Sequence, residues 1–107
     1  MSAAELSFTF LACSDLKRIW EGLSAPSDLW GASASENLER AERFAADFSR
    51  HCELLGRNPE LGTPRDELQH GLRSLPFQRY VVFYRLRGER LEVLRVLRAT
   101  EDVTAGA

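Results

Sequence analysis

Residues 80–97 read YVVFYRLRGERLEVLRVL, and they carry the clearest structural signal in the chain. β-Branched and aromatic side chains fill both halves of this stretch, and Gly88-Glu89 stands between them at the place of a tight turn. Such a pattern is typical of an antiparallel hairpin. We expect one strand at residues 80–87 and the next at residues 91–97.

The charges in this hairpin indicate its register. A turn at Gly88-Glu89 places Arg85 opposite Glu92, and opposite charges that face each other across two strands stabilise the pairing. In this register one face is apolar except for Arg95 and should lie against the core: Tyr80, Val82, Tyr84, Leu86, Leu91, Val93 and Leu97.

The opposite face of the hairpin combines an apolar centre with a basic rim. The same register pairs Phe83 with Leu94 there, and Val81 with Val96. The rim consists of three arginines: Arg79, Arg85 and Arg98. If helices cover only the first face of the sheet, this second face is uncovered, and an apolar patch with an arginine rim is typical of a protein-binding surface. Coverage by a chain terminus or by self-association is the alternative.

Upstream of the hairpin, the sequence predicts a strand followed by a helix. Apolar residues alternate with polar ones from Leu6 to Phe10, which predicts a strand over residues 6–13. Ser14 and Asp15 then offer a helix N-cap, and Pro26 ends the apolar periodicity that follows.

A second, longer helix is expected next, because one apolar stripe recurs at helical spacing: Leu38, Ala41, Phe44, Ala45, Phe48, Cys52 and Leu55. Ser33 and Glu36 have the spacing of a capping box, and Gly56 is a candidate C-cap. Phe48 of this helix, together with Trp20 of the first, should anchor the helices on the sheet. With a further strand at residues 72–77, the chain is expected to be a single α+β domain over residues 1–107. An antiparallel helical hairpin packs on one face of a small, mostly antiparallel four-stranded sheet, in the order β-α-α-β-β-β.

Charge is distributed unevenly along the chain. Residues 1–56 hold five basic and nine acidic side chains, a net charge of −4, whereas residues 57–107 hold nine and seven, a net charge of +2. All nine basic residues of the second part are arginines, which bind carboxylates and phosphates through a planar set of donors. An overall net charge of −2 does not favour extensive wrapping of nucleic acid. We expect a protein partner and no sequence-specific nucleic-acid binding.

The sequence does not predict a metal, cofactor or catalytic site. His51 and Cys52 are adjacent on a helix and so point in different directions, and His70 is isolated in a polar segment. Cys13 and Cys52 form no redox motif, which favours the cytoplasm. No apolar stretch reaches the length of a membrane span. We therefore expect no cofactor, no metal and no membrane association.

Four local sequences together resemble the ParE/RelE toxin superfamily and, within it, the ParE branch. They are DLKRIW at residues 15–20, NPELGTPR at residues 58–65, GLRSLP at residues 71–76 and RYVVFYR at residues 79–85. In this order the similarity extends over nearly the whole chain. The resemblance implies a cytoplasmic toxin that inhibits DNA gyrase, is neutralised by direct binding of a ParD-like antitoxin, and forms a toxin–antitoxin hetero-oligomer.

The resemblance supplies a partner for the second sheet face and one for the arginines of the C-terminal half. The antitoxin is expected to contact the second sheet face: Arg79, Val81, Phe83, Arg85, Leu94, Val96 and Arg98. The target is expected to contact four arginines: Arg65, Arg73, Arg79 and Arg98.

The alternative is a ribosome-dependent mRNA endoribonuclease of the RelE type. That branch has a basic residue where this chain has Val81, and a His or Tyr pair near the C-terminus where this chain has Thr100-Glu101-Asp102. RNA scission needs a general base and a general acid, and arginine suits neither role because it stays protonated. We therefore expect no catalytic residues and favour a non-enzymatic inhibitor.

Overall fold

A computed structural model describes residues 4–25 and 34–101. The elements are β1 (Glu5–Phe8), α1 (Phe10–Ser24), α2 (Ala34–Arg57), β2 (Thr63–Pro64), β3 (Leu72–Phe77), β4 (Tyr80–Arg87), β5 (Arg90–Arg98) and a short 3₁₀ helix (Ala99–Glu101). The strands form one sheet in the order β1-β5-β4-β3-β2, in which only the β1–β5 pairing is parallel. The predicted α+β fold is confirmed. The sheet has five strands instead of four, because the two residues of β2 pair with β3.

The boundary between β1 and α1 differs from the prediction. The helix begins at Phe10, and its N-cap is Thr9, whose Oγ1 accepts a hydrogen bond from the Ala12 N–H at 3.1 Å. The same hydroxyl donates to the carbonyl oxygen of Leu94 at 2.7 Å, so the cap also ties the helix to the sheet. Phe10 consequently lies in the first turn of the helix, 85% exposed. Alternating residues cannot by themselves distinguish the last residues of a strand from the first turn of a helix.

Helix α2 contributes much of the core. Ala41, Phe44, Phe48, Cys52 and Leu55 form its buried stripe, as the periodicity predicts. Leu38 and Ala45 of the predicted stripe are exposed.

The predicted caps of α2 have different outcomes. Ser33 of the proposed capping box lies outside the described residues. Gly56 is not a C-cap, since the helix continues through Arg57. A Cβ on Gly56 would lie 3.3 Å from Leu6 Cδ1 and 3.4 Å from the Ala4 carbonyl oxygen, so this glycine allows α2 to approach the N-terminal strand closely.

The hairpin of β4 and β5 contains an irregularity that the sequence did not indicate. The predicted pairing of Arg85 with Glu92 is confirmed, with 3.0 Å between Arg85 Nε and Glu92 Oε1. Between Phe83 and Tyr84 the register shifts, and Leu94 becomes an extra residue in β5.

Because of this bulge, the last residues of β5 lie on the opposite sheet face from the one that the sequence predicts. Val96 pairs with Val82 and belongs to the core beneath the helices, and Leu97 pairs with Val81 on the second face. The predicted pairs Phe83–Leu94 and Val81–Val96 are therefore wrong, because one inserted residue exchanges the two sides of a strand. Leu86, predicted in the core, is 39% exposed.

The second sheet face is not the open patch that the sequence predicts. Phe83 is only 3% exposed, and it forms a small buried cluster with Leu72, Val81 and Leu97. Leu68, from the segment between β2 and β3, packs against this cluster. That segment is polar in composition and contains one leucine, so no periodicity indicated that it would cover the second sheet face.

Candidate functional site

The four arginines expected to contact the target fall into two pairs. Arg65 and Arg73 make internal contacts: Arg65 donates to Ser74 Oγ at 3.2 Å and to Glu67 at 2.8 Å. Arg73 donates to the carbonyl oxygens of Gly62 at 2.7 Å and Glu60 at 3.2 Å. Both therefore stabilise the segment after α2.

Arg79 and Arg98 form the second pair, and both line a cleft of about 750 Å³. The cleft lies between α2, the turn from β3 to β4 and the end of β5, and Arg40 and Arg43 of α2 also line it. We call it the arginine cleft and define it by these four arginines and by Phe44 and Tyr80, which contribute apolar surface.

Backbone contacts hold Arg79 and Arg98 on the same side of the arginine cleft. The turn from β3 to β4 consists of two residues, and its first residue, Gln78, has a φ of 54°. Tight hairpin turns require this left-handed conformation. The Ala99 N–H donates to the Arg79 carbonyl oxygen at 2.9 Å, and Tyr80 pairs with Arg98 across the strands. The turn is thereby attached to the end of β5.

Positive charge dominates the arginine cleft. Within residues 4–25 and 34–101, none of its four arginines forms a hydrogen bond or ion pair with a carboxylate. One carboxylate, Asp47, lines the cleft, but it is paired with Arg50 and accepts a hydrogen bond from Gln78 Nε2 at 3.3 Å. The guanidinium groups are thus available to an anionic ligand.

A buried ion pair next to the arginine cleft attaches α1 to β5. Asp15 is 2% exposed and accepts two hydrogen bonds from Arg95, at 2.8 and 2.9 Å. It also accepts one from Arg18 at 2.9 Å and one from the Val96 N–H at 3.0 Å. Burial alone raises the pKa of the Asp15 carboxyl, but the hydrogen bonds from Arg95 and Val96 and the two positive charges outweigh it and lower that pKa.

Sequence reasoning missed this ion pair. It treated Asp15 as a helix cap and Arg95 as the exception on an apolar strand face. A buried arginine needs a carboxylate partner. The arginine on the apolar face of the predicted strand was therefore the feature of the sequence that could have predicted the ion pair.

Tyr84 fixes the segment NPELG, residues 58–62. Its hydroxyl donates to the Pro59 carbonyl oxygen at 2.7 Å and accepts from the Gly62 N–H at 2.8 Å. Burial raises the pKa of this hydroxyl, with smaller opposing effects from Gly62 and Arg73, so it remains a neutral donor. Together with Arg73, Tyr84 explains why this segment has a defined conformation.

Replacing Gly62 with alanine should lower the free energy of unfolding by about 1 to 3 kcal/mol. A Cβ there would lie 2.6 Å from Tyr84 Oη, 2.7 Å from Tyr84 Cε1 and 3.0 Å from the Ser74 carbonyl oxygen. Urea denaturation measures the effect. Gly22→Ala is the matched control: beyond its chain neighbours and the adjacent backbone of its own helix, nothing lies within 4 Å of the added Cβ, and the change removes a glycine from a helix, so it should stabilise the protein by about 0.5 to 1 kcal/mol. Equal stability of Gly62→Ala and wild type would contradict the close contact.

The residues expected to bind the antitoxin are not all on one surface. Arg79 and Arg98 are exposed at the arginine cleft, and Val81 and Phe83 are buried in the second-face cluster. Leu94 packs partly buried against that cluster, and Arg85 is paired with Glu92. Val96 lies on the opposite face, beneath the helices.

An apolar groove of about 500 Å³ between α1 and α2 also escaped prediction. Phe8, Leu16, Trp20, Phe44 and Phe48 contribute to its walls. Trp20 is half-buried at this groove instead of fully buried in the core. The sequence could not indicate the groove, because the two helices were expected to close on each other.

Among the residues that the structure describes, the remaining reactive side chains form no metal site. Burial raises the pKa of the Cys52 thiol to about 11 and lowers that of the His51 imidazole. Across residues 4–25 and 34–101, no group of three or more His, Cys, Asp or Glu side chains is arranged to hold a metal ion. None of the helices described in these ranges is long and apolar enough to cross a membrane.

Comparisons with known proteins agree with this fold. The chain is 31% identical over 94 residues to Toxin ParE1 of Caulobacter vibrioides, which covers 88% of each protein. Its fold is similar to that of a chain from the chromosomal ParDE toxin–antitoxin system of P. aeruginosa, with a TM-score of 0.67, 22% identity, and coverage of 90% of this chain and 96% of that one. A chain of the toxin–antitoxin complex RelBE2 from Mycobacterium tuberculosis has a TM-score of 0.62, 24% identity, and coverage of 94% and 97%.

The two structures show the fold, and the sequence match shows the family. Residues 6–103 match the family described as the ParE toxin of the type II toxin–antitoxin system parDE. This range includes all four of the local sequences on which the resemblance rests, and it includes both walls of the arginine cleft. The chain therefore belongs to the ParE family of type II toxin–antitoxin system toxins.

Proposed function

We propose that this ParE-family toxin acts in the cytoplasm by binding and inhibiting DNA gyrase, without catalysing a reaction of its own, and that a ParD-like antitoxin neutralises it in a hetero-oligomer. The observation that carries the proposal is the arginine cleft. Four guanidinium groups from three elements meet there, and no carboxylate of the described residues pairs with them. Such a site can bind an anionic surface and is poorly equipped for acid–base chemistry.

The positions of the titratable groups support inhibition by binding. His51 packs against Phe77, with 4.8 Å between the ring centroids, and its Nε2 is buried. His70 is exposed in the segment between β2 and β3 and faces Asp66 at 3.8 Å. Neither histidine lines the arginine cleft. Arginine stays protonated and serves as neither base nor acid. Of the other groups that line the cleft, Asp47 is bound to Arg50 and Gln78, and the Tyr80 side chain is only 9% exposed.

Within the proposed target contact, Arg79 and Arg98 are the residues that face the target. They are exposed, whereas Arg65 and Arg73 hold the segment after α2 and support the contact indirectly. We assign the antitoxin contact to the accessible members of the predicted set, which are Arg79, Arg85, Leu94 and Arg98. Val81, Phe83 and Val96 would then support this surface from within the fold.

Charge reversal at the cleft tests the proposal. Arg79→Glu and Arg98→Glu should each raise the protein concentration needed for half-inhibition of gyrase supercoiling roughly tenfold or more, because a charge-assisted contact becomes repulsive. Arg87→Glu is the matched control, with the same charge change at the opposite end of β4, roughly 23 Å away at about 3.3 Å per residue. Circular dichroism verifies the fold of each variant. Full inhibition by both cleft variants would refute the assignment.

A further inference from the structure

Arg40 and Arg43 line the arginine cleft, but neither is among the residues assigned to the target or to the antitoxin. They lie three residues apart on α2, so they project from the same side of the helix. Both line the arginine cleft, across from Arg79 and Arg98. Neither belongs to the four local sequences on which the family resemblance rests, and their positions alone would suggest an ordinary solvated helix face.

Four like charges around one concavity favour an anionic ligand. The cleft has a volume of about 750 Å³, and Asp47, its one lining carboxylate among the described residues, is already bound to Arg50 and Gln78. Mutual repulsion among the arginines is relieved when an anion enters, and the concave shape concentrates their field. The remainder of the protein is acidic, since the chain as a whole has a net charge of −2. A polyanion is therefore attracted to the cleft itself and not along the whole surface.

The other surfaces of the arginine cleft indicate which class of anion it can bind. Phe44 and Tyr80 line it, with their rings edge to face and their centroids 5.5 Å apart. Both rings belong to the core and are only 7% and 9% exposed, so the apolar floor is small. A guanidinium rim around it suits a single nucleic-acid strand, whose phosphates can pair with the rim and whose bases are unpaired. Arginine also contributes by stacking on bases, which lysine does not do. Duplex DNA offers phosphates without free base surfaces, so it fits less well.

We propose that the arginine cleft binds a short stretch of single-stranded DNA without regard to its sequence. The inference rests on the proposed function in one respect, since DNA opened at gyrase is the strand that the cleft would reach. The binding itself does not require gyrase and can be measured with the toxin alone. It adds Arg40 and Arg43 to the functional residues and assigns them to phosphate contact.

Fluorescence anisotropy with a labelled single-stranded oligothymidine tests this proposal. Wild-type protein should bind it, with a slope of log affinity against log salt of about −3 if four phosphates are neutralised. Arg43→Glu and Arg40→Glu should each weaken binding roughly tenfold and make the slope less negative. Arg87→Glu, with the same charge change outside the cleft, should alter the affinity less than about twofold. Thermal melting shows whether each variant is folded.

The inference would be overturned by no binding at low salt, by an equal loss of affinity in Arg87→Glu, or by equal affinity for the matching duplex. Displacement of the oligonucleotide by polyglutamate at equal charge concentration would also overturn it, in favour of an acidic peptide ligand. Gyrase inhibition is measured separately. If the protein binds DNA but leaves gyrase active, the proposed function is refuted and the DNA site stands. If it inhibits gyrase without binding DNA, the DNA site is refuted and the proposed function stands.

Discussion

Truncating Phe48 to alanine is expected to lower the free energy of unfolding by about 3 to 5 kcal/mol. The ring is 8% exposed and meets three other aromatic rings. Its centroid is 5.5 Å from that of Phe77 in an edge-to-face arrangement, 6.1 Å from that of Phe44 and 6.3 Å from that of Phe8. Removing it leaves a cavity between α2 and the sheet that these rings cannot fill. Denaturant-induced unfolding measures the loss.

Trp20 and Phe10 provide the comparison for Phe48. The sequence predicts Trp20 and Phe48 as equal anchors, but Trp20 is partly exposed at the groove between α1 and α2, so Trp20→Ala should cost less than Phe48→Ala. Phe10 is 85% exposed, and Phe10→Ala should change stability by less than about 0.5 kcal/mol. A Phe48→Ala protein as stable as the Phe10→Ala protein would refute the packing described here.

Replacing Asp15 with asparagine is expected to cost about 2 to 4 kcal/mol at neutral pH. The carboxylate accepts hydrogen bonds from Arg95, Arg18 and the Val96 N–H, and an amide directs an N–H group at some of these donors instead. Asp47→Asn is the matched control. Its carboxylate is partly exposed and its partner, Arg50, is 70% exposed, so the loss should stay below about 1 kcal/mol.

The contribution of Asp15 should also depend on pH. The pKa of this carboxyl is lower in the folded protein than the usual value near 3.9, so the unfolded chain binds the proton more readily. The stabilisation is therefore complete above about pH 4 to 5 and decreases as the pH falls through the folded-state pKa. The difference in unfolding free energy between wild type and Asp15→Asn should shrink in that acidic range. A difference that is the same at neutral and acidic pH would show that Asp15 does not act through its charge.

Much of the fold was predictable because its signals are local. The β4–β5 hairpin was located by a turn between two β-rich runs, and the pairing of Arg85 with Glu92 fixed its register next to the turn. The stripe of α2 was located by helical periodicity. Each of these signals depends on residues that are close in the sequence, where spacing and side-chain type suffice.

The bulge at Leu94 had no such signal. Its polar groups are satisfied by α1: Thr9 donates to the Leu94 carbonyl oxygen, and Asp15 accepts from the Val96 N–H. These partners are separated by 85 and 81 positions in the chain. The register beyond Phe83, and with it the face of Val96, therefore depends on tertiary contacts that spacing cannot show.

Two of the four arginines that define the arginine cleft could not be predicted from the sequence either. The sequence indicated Arg79 and Arg98 by their place at the ends of predicted strands. Arg40 and Arg43 lie on a polar helix face, and only the packing of α2 against the β3–β4 turn brings them opposite the other two. Arg65 and Arg73 were chosen for their charge, but their hydrogen bonds to Ser74 and Gly62 make them structural.

The central claim is that this toxin acts on gyrase by binding and does not cut RNA. Purified wild-type protein incubated with gyrase, ATP and supercoiled plasmid tests it most directly, with a ribosome-dependent mRNA cleavage reaction run in parallel. We expect linear, cleaved plasmid to accumulate with toxin concentration, while the messenger RNA stays intact. Cleavage of the mRNA at defined codon positions, with gyrase supercoiling unaffected, would contradict the claim and assign the protein to the ribonuclease class.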